Sequence, residues 1–272
     1  MIKLIACDLD GTLFSSFGTL SPYAKDVLQK CKDKGIIVVI SSGRPYYSIT
    51  NSIPEELFDY ASCMNGQDIY STKTKKHTRK PNLSKEEKKY LSSFLSKYRM
   101  MMECAFDGQG HYFADKKYFI YLEIANFIKK TIHKIKKIPH YWQDPQSNFD
   151  IIEDKEVGKV CFASTSATLR KFYAEMNHNN FSCFFVNSTW LEVMHKGISK
   201  GNALLDILEI EGIDQKDCAA FGDGENDISM LDVVGTAVAM KNAMPSVKKH
   251  ASAIADTFSN DGCAKWIQKN IL

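Results

Sequence analysis

Asp8-Leu-Asp-Gly-Thr12 sets two carboxylates two residues apart, directly after the apolar run Ile2–Cys7. In an extended chain, positions i and i+2 point the same way, so Asp8 and Asp10 can present paired carboxylates at one strand end. Gly11 lets the backbone turn sharply and come close to a ligand. Adjacent carboxylates repel unless a cation or a shared proton lies between them. With no His or Cys cluster nearby, the expected partner is an oxygen-preferring hard cation, Mg²⁺ before others. A solvated turn built on an aspartate and a glycine would give the same pattern without a ligand. An EF-hand is excluded, because the positions that need Gly and the closing Glu hold Leu13 and Thr19.

Three further segments carry chemistry-bearing residues. Gly222-Asp-Gly-Glu-Asn-Asp227 follows the apolar run Cys218–Phe221, and its acids could complete a metal site begun by Asp8 and Asp10. It is not a dinucleotide fingerprint, since Asp227 stands where the third glycine belongs. Alone it could be an acidic turn capping the next helix, but two acidic loops after two such strands argue against coincidence. Ser41-Ser-Gly-Arg-Pro45 offers a hydroxyl, a glycine amide and a helix start, a natural seat for phosphate oxygens. Ser42 could equally serve only as a helix cap. Lys200 lies in Gly197-Ile-Ser-Lys-Gly201 at a helix start, where a cation opposes the helix dipole. Its charge is therefore expected to answer something negative, the alternative being an exposed surface lysine.

The elements that must position these residues read as alternating strand and helix. Ile2–Cys7 and Ile36–Ile40 are short continuous apolar runs, as strands buried on both faces of a parallel sheet require. Between them Ser21-Pro22 starts a helix that Gly35 ends. After Trp190 the same rhythm predicts a helix Lys200–Glu211, a strand Cys218–Phe221, a helix Asp227–Val233, a strand Thr236–Ala239, and helices from Pro245 and from Gly262. From Pro81 to Asn187 the character differs. A capping box at Ser84–Glu87 opens a helix, a hairpin joins Met101–Phe106 to His111–Ala114, and helices over Tyr118–Lys137 and Ser166–Asn177 mix with strands Lys159–Ala163 and Phe181–Val186. The expected architecture is an α/β, doubly wound parallel-sheet core over 1–80 and 188–272, interrupted by an inserted α+β module over 81–187.

The 272 residues carry 35 Lys+Arg against 32 Asp+Glu, with 44% hydrophobic and 25% charged content. That excludes wholesale disorder, collagen and coiled coil, and leaves room for a core without disulfides. The net charge of +3 gives nucleic-acid binding no support. The basic stretches Lys73–Lys80 and Lys129–Lys137 could suggest a polyanion partner, but neither carries an RNA-binding motif and the second also suits a solvated helix face. Eight scattered cysteines without a CxxC pair read as buried reduced thiols. No apolar stretch is long enough to span a bilayer, and Asp8 interrupts any signal-peptide core. A cytoplasmic enzyme with no membrane or nucleic-acid partner, monomeric or weakly homo-oligomeric, is expected.

Taken in chain order, the four segments resemble the four motifs of the haloacid dehalogenase (HAD) superfamily of phosphohydrolases. The single long insertion between the second and third resembles the Cof-type, class IIB sugar-phosphatase branch. Asn65-Gly66 and Asp256-Thr-Phe-Ser-Asn-Asp-Gly262 are further matches. The resemblance implies an Mg²⁺-dependent phosphomonoester hydrolase acting on small phosphorylated metabolites, sugar phosphates foremost. Asp8 would be the nucleophile that becomes an aspartyl phosphate, and Asp10 the general acid and then base. Asp8, the Asp10 backbone carbonyl and Asp223 would hold Mg²⁺. Ser42 and the Gly43 and Leu9 amides would bind the phosphoryl group, Lys200 would neutralise it, and Asn226 would contact phosphate. Asp227 would orient Lys200 or a metal-bound water, and Arg44 would help position the loop or substrate. The insertion would be a cap that controls access and selects the leaving group, with Tyr141, Trp142 and the Asp107–Gly110 turn as candidate contacts. Two positions depart from the family pattern: Ser42 where threonine is commoner, and His195 where proline is. A phosphomutase or phosphotransferase using the same aspartyl phosphate is the alternative activity.

Overall fold

The computed structural model describes residues 1–14, 18–106, 109–114, 120, 124, 142–143 and 148–272. They form two compact units, Met1–Lys80 with Ile198–Leu272, and Pro81–Gly197. The first unit is built on an eight-stranded sheet in the order β14-β13-β12-β1-β2-β3-β4-β5. β1 (Leu4–Cys7) lies at its middle, between β2 (Ile37–Ser41) and β12 (Cys218–Gly222), parallel to both. All four β1 residues are buried, as its unbroken apolar sequence requires for a strand covered on both faces. Parallel pairing continues through β3 (Tyr60–Cys63), β13 (Thr236–Met240) and β14 (Ala253–Ala255).

Helices pack on this sheet with the caps their sequences encode. In Pro22–Asp33 the Ser21 hydroxyl accepts the Ala24 N–H at 3.0 Å, and Pro22 needs no partner for an N–H it lacks. Ala24, Val27, Leu28 and Cys31 form its buried stripe. Helix Lys200–Glu211 starts at Ser199, whose hydroxyl accepts the Asn202 N–H, and ends at Gly212 in the left-handed region. The expected helix Asp227–Val233 is shorter, a turn of 3-10 helix over Glu225–Asp227 followed by Ile228–Leu231. Two elements were not expected: β14, and the antiparallel hairpin of β4 (Asp68–Ser71) and β5 (Lys76–Arg79) at the opposite edge. β5 reads KHTR and is exposed throughout, so no apolar alternation marks it. The hairpin absorbs the basic stretch Lys73–Lys80. Lys75 pairs with Glu55 at 2.6 Å, His77 with Asp68 at 2.9 Å and Lys80 with Asp206 at 2.7 Å. All eight cysteines are free, seven of them buried.

The second unit has a six-stranded sheet in the order β10-β11-β9-β6-β7-β8 and its own apolar core. β6 (Met101–Phe106) and β7 (Gln109–Ala114) pair antiparallel, and β9 (Lys159–Ala163) joins β6 to β11 (Trp190–His195). The capping box at Ser84 and Glu87 closes in both directions, starting helix Lys85–Ser93. The unit extends past the expected boundary at Asn187. β11 pairs with β10 (Phe181–Asn187) and β9, so Trp190–His195 belongs to this sheet and the division falls after Gly197. His195, the departure from the family pattern, meets the Glu87 carboxylate at 3.0 Å. Tyr141, Asp107, Gly108 and Lys129–Lys137 lie outside the described residues, as does the Tyr118–Lys137 helix apart from Ile120 and Ile124. Among the described residues no helix is long and apolar enough to cross a membrane.

Candidate active site

The strand register brings the motif segments to one sheet edge. Cys7 lies beside Phe221 on one side and Ile40 on the other, so the chain leaves β1, β12 and β2 at the same level. These are carboxyl ends of parallel strands, the edge where open α/β sheets gather ligand groups. After β1 the chain turns at Gly11, φ 84°. A side chain there would put its Cβ 2.4 Å from Asp223 Oδ2, so only glycine lets the first loop cross the third.

Lys200 is fully buried, and its Nζ donates to Asp8 Oδ1 and to Asp227 Oδ1, each at 2.6 Å. The lysine that opposes its helix dipole is thus compensated by two carboxylates. Burial alone would pull the ammonium pKa down. Asp227 and then Asp8 outweigh it and hold Lys200 protonated well above the ordinary range. Asp227 is fully engaged: its other oxygen accepts the Asp223 and Gly224 N–H groups at 2.8 and 2.9 Å. It shapes the loop that carries Asp223 and aims Lys200 at Asp8.

Carboxylate oxygens of Asp8, Asp223 and Asp227 lie within 4.8 Å of one another. Burial pushes the Asp8 carboxyl well up; Lys200 opposes this, while Asp227 and Asp223 add repulsion. Asp223 is pushed up to about 6, by burial first and by Asp227 next. Crowded carboxylates that resist ionisation, with only oxygen donors at hand, are what a hard divalent cation would relieve. Since Asp227 is committed to Lys200 and the loop amides, Asp8 and Asp223 are the side chains that fit such an ion. Asp223 is braced by the Thr12 hydroxyl, which donates to Oδ1 at 3.0 Å.

The Asp10 carboxylate stands outside this cluster. Arg44 holds both its oxygens, Nε to Oδ2 at 2.7 Å and Nη2 to Oδ1 at 2.5 Å. The guanidinium also lies over the Phe14 ring, 5.1 Å from its centroid. Ser42 is buried and its hydroxyl accepts the Arg44 N–H at 3.2 Å, so the hydroxyl hydrogen can be offered elsewhere. Leu9 is buried as well. The Asn226 amide donates to Asn65 Oδ1 at 3.0 Å.

One residue at this edge escaped the sequence reading. Asn242 follows β13, and its Nδ2 donates to the Gly11 carbonyl at 2.8 Å and lies 3.4 Å from Asp223 Oδ2. Its Oδ1 accepts the Phe258 N–H, which links the Asp256–Gly262 segment to the same edge. The available signal was position alone, an amide just past a parallel strand.

In the second unit the β6–β9–β11 register sets Glu103 and Glu192 on either side of Cys161. Lys159, two residues along β9, meets Glu192 at 2.6 Å. This polar group lies on the sheet face opposite the core residues Met102, Val160, Phe162, Leu191 and Val193. Trp142 lies in β8 (Trp142–Gln143).

Comparison with known proteins gives the arrangement its context. Over its full length the chain is 29% identical to a putative phosphatase of Streptococcus pyogenes serotype M6, covering 99% of that protein. It is 29% identical, again over its full length and 96% of the relative, to a 5-amino-6-(5-phospho-D-ribitylamino)uracil phosphatase of Bacillus subtilis. The fold is that of a solved HAD subclass IIB sugar phosphatase, with a TM-score of 0.79 at 22% identity over 98% of both chains. The family model for haloacid dehalogenase-like hydrolases matches residues 5–267, through both parts of the first unit and the insertion between them, and the chain belongs to that family.

Proposed function

We propose that this chain, a phosphatase of the haloacid dehalogenase-like hydrolase family, is an Mg²⁺-dependent enzyme that hydrolyses small phosphomonoesters through an aspartyl phosphate on Asp8. The observation that carries the reading is the buried Lys200, shared at 2.6 Å between Asp8 and Asp227 beside Asp223. A structural ion pair would not need a third carboxylate, hydrogen-bonded only by neutral groups among the described residues, crowded against it. A carboxylate nucleophile facing a dianionic phosphate does need a cation on each side.

Mg²⁺, held by the Asp8 and Asp223 carboxylates and the Asp10 backbone carbonyl, would neutralise charge on the nucleophile and the phosphoryl oxygens. Asp8 attacks phosphorus through the oxygen that Lys200 does not hold, and the bond from phosphorus to the leaving oxygen breaks. Asp10 delivers a proton to that oxygen, freeing the alcohol. Water then attacks phosphorus, Asp10 takes its proton, and orthophosphate leaves with Asp8 restored. Lys200 stays charged throughout, while Ser42, the Gly43 and Leu9 amides and Asn226 hold the phosphoryl oxygens. Arg44 engages both Asp10 oxygens, so Asp10 moves protons only after Arg44 releases one. A substrate phosphate competes for that guanidinium and can trigger the release.

Sugar and polyol phosphates come first as substrates, because one relative acts on a phosphorylated ribitylamino compound and one fold neighbour is a sugar phosphatase. The inserted unit is assigned the role of a cap that selects among them. The test is orthophosphate release from a panel of sugar, polyol and nucleoside phosphates, with and without EDTA. Asp8→Asn should lose turnover by at least about 10³-fold while keeping its circular dichroism spectrum. Wild-type turnover in that variant sinks the nucleophile assignment; an isomeric sugar phosphate without free orthophosphate would make the enzyme a mutase.

A further inference from the structure

The loop between β3 and β4 holds a backbone outlier that its hairpin does not require. Asn65 and Gly66 have φ of 56° and 95°. Cys63 pairs with Asp68, so the connection is the four residues Met64–Gln67, and left-handed conformations are ordinary for the Asn and Gly at its centre. Met64, at φ 49°, is the outlier, because a long side chain in the left-handed region is disfavoured. Asn65 is unusual in a second way. It is 0% exposed, although hairpin tips normally face water. Such conformations persist where surrounding contacts over-determine them, and they cluster at functional sites.

Those contacts reach three of the four motif segments. The Met64 N–H donates to the Arg44 carbonyl at 3.0 Å and the Asn65 N–H to the Ser42 carbonyl at 2.9 Å, so the turn backs the phosphate loop. Asn65 Oδ1 accepts the Asn226 amide at 3.0 Å. The same Oδ1 faces Gly43, where an added Cβ would lie 3.3 Å from it. A Cβ on Gly66 would sit 2.4 Å from the Ser199 carbonyl and 2.7 Å from Ala203 Cβ, so the turn abuts the helix that presents Lys200. The strain at Met64 brings its N–H to Arg44 while Asn65 stays under Gly43.

We infer that the Met64–Gly66 turn is a positioning element of the active site, and that Asn65 sets the direction of the Asn226 amide toward the phosphoryl group. The inference rests on the phosphatase reading above and adds a residue that never touches substrate. Asn65 acts through Asn226: its oxygen fixes one amide hydrogen, which leaves the other aimed at a phosphoryl oxygen. A hydrogen bond between neutral groups is modest for stability, but a displaced phosphate contact costs turnover steeply.

The test uses Asn65→Gly, because glycine takes φ 56° without strain and only the amide is lost. Three variants, Asn65→Gly, Asn226→Ala and the double, are compared for kcat, KM and orthophosphate affinity by calorimetry in Mg²⁺. Asn65→Gly should melt within a few degrees of wild type, lose about tenfold in kcat/KM and bind orthophosphate about tenfold more weakly. The double variant should be no worse than Asn226→Ala, the sign that one residue acts through the other. Wild-type kinetics for Asn65→Gly, or a double-variant loss equal to the product of the single losses, overturns the inference. Asp8→Asn run alongside separates the two levels, since retained turnover there fails the phosphatase mechanism whatever Asn65 does.

Discussion

Lys200 shows how much one buried charge determines. Removing the ammonium by Lys200→Met leaves the buried Asp8 and Asp227 carboxylates without the cation they share. Breaking a buried pair in this way costs about 3–5 kcal/mol, so urea melts should show a loss on that scale along with the loss of turnover. Adding Asp227→Asn should restore part of the stability and none of the activity, because the nucleophile still lacks its cation. Full recovery of stability in Lys200→Met alone would mean that the carboxylates repel less than their geometry requires. At this scale most of the charged residues were legible in the sequence: Asp8, Asp223 and Lys200 each break a local rule, a charge against a buried strand or against a helix dipole, while Asp227 stood out only through the acidic loop it shares with Asp223. The amides were less so. Asn226 and Asn65 were marked only by the family resemblance and Asn242 not at all, because what they do depends on which loops the sheet brings beside them.

Among the elements, strands buried on both faces and capped helices were readable, because unbroken apolar runs and Ser-Pro or Ser-x-x-Glu signatures are local. Elements held by their neighbours were not: β5 is polar on both faces, and β11 belongs to the second sheet through its ladders to β10 and β9. That sheet carries a charge imbalance. Lys159 pairs with Glu192, and Glu103 lies across Cys161 from Glu192 with no second cation described beside it. Burial raises the Glu103 carboxyl pKa; Tyr112 and Lys159 oppose this and Glu192 adds to it. A raised folded value means the folded state holds the proton more tightly than the unfolded chain. The stability it contributes is present below the ordinary glutamate value near 4.3 and is lost as pH rises through the folded value. Glu103→Gln cannot ionise and escapes that loss. Its melting temperature should exceed wild type at pH 7 by up to a few degrees, the scale of about 1 kcal/mol in a chain this size, and the difference should shrink toward pH 4. A difference that grows on acidification would reverse the assignment.

At the scale of the whole molecule, the proposed function assigns the chemistry to one unit and the selection of substrate to the other. Asp8, Asp10, Ser42, Arg44, Asn65, Lys200, Asp223, Asn226 and Asp227 all lie in Met1–Lys80 and Ile198–Leu272, which has its own hydrophobic core and its own eight-stranded sheet. Lys200, Asp8 and Asp227 satisfy one another within that unit. Joining Lys80 to Ile198 through a short Gly-Ser linker should therefore leave a folded core that binds Mg²⁺ and releases phosphate from small esters. A linker that replaces a long insertion changes loop-closure entropy only slowly with length, so little stability should be lost on that account. Selection should suffer instead: kcat/KM should fall, and preferences among sugar phosphates should flatten, because cap closure excludes water and supplies contacts to the leaving group. Thermal melts with saturating Mg²⁺ give a check independent of turnover. At a hundred times its dissociation constant the ion should stabilise intact protein and excised core alike by about 2.7 kcal/mol, and Asp223→Asn should abolish the shift in both. If the excised core folds but binds no Mg²⁺, the inserted unit holds part of the metal site, and the division between catalysis and selection drawn from the two units is wrong.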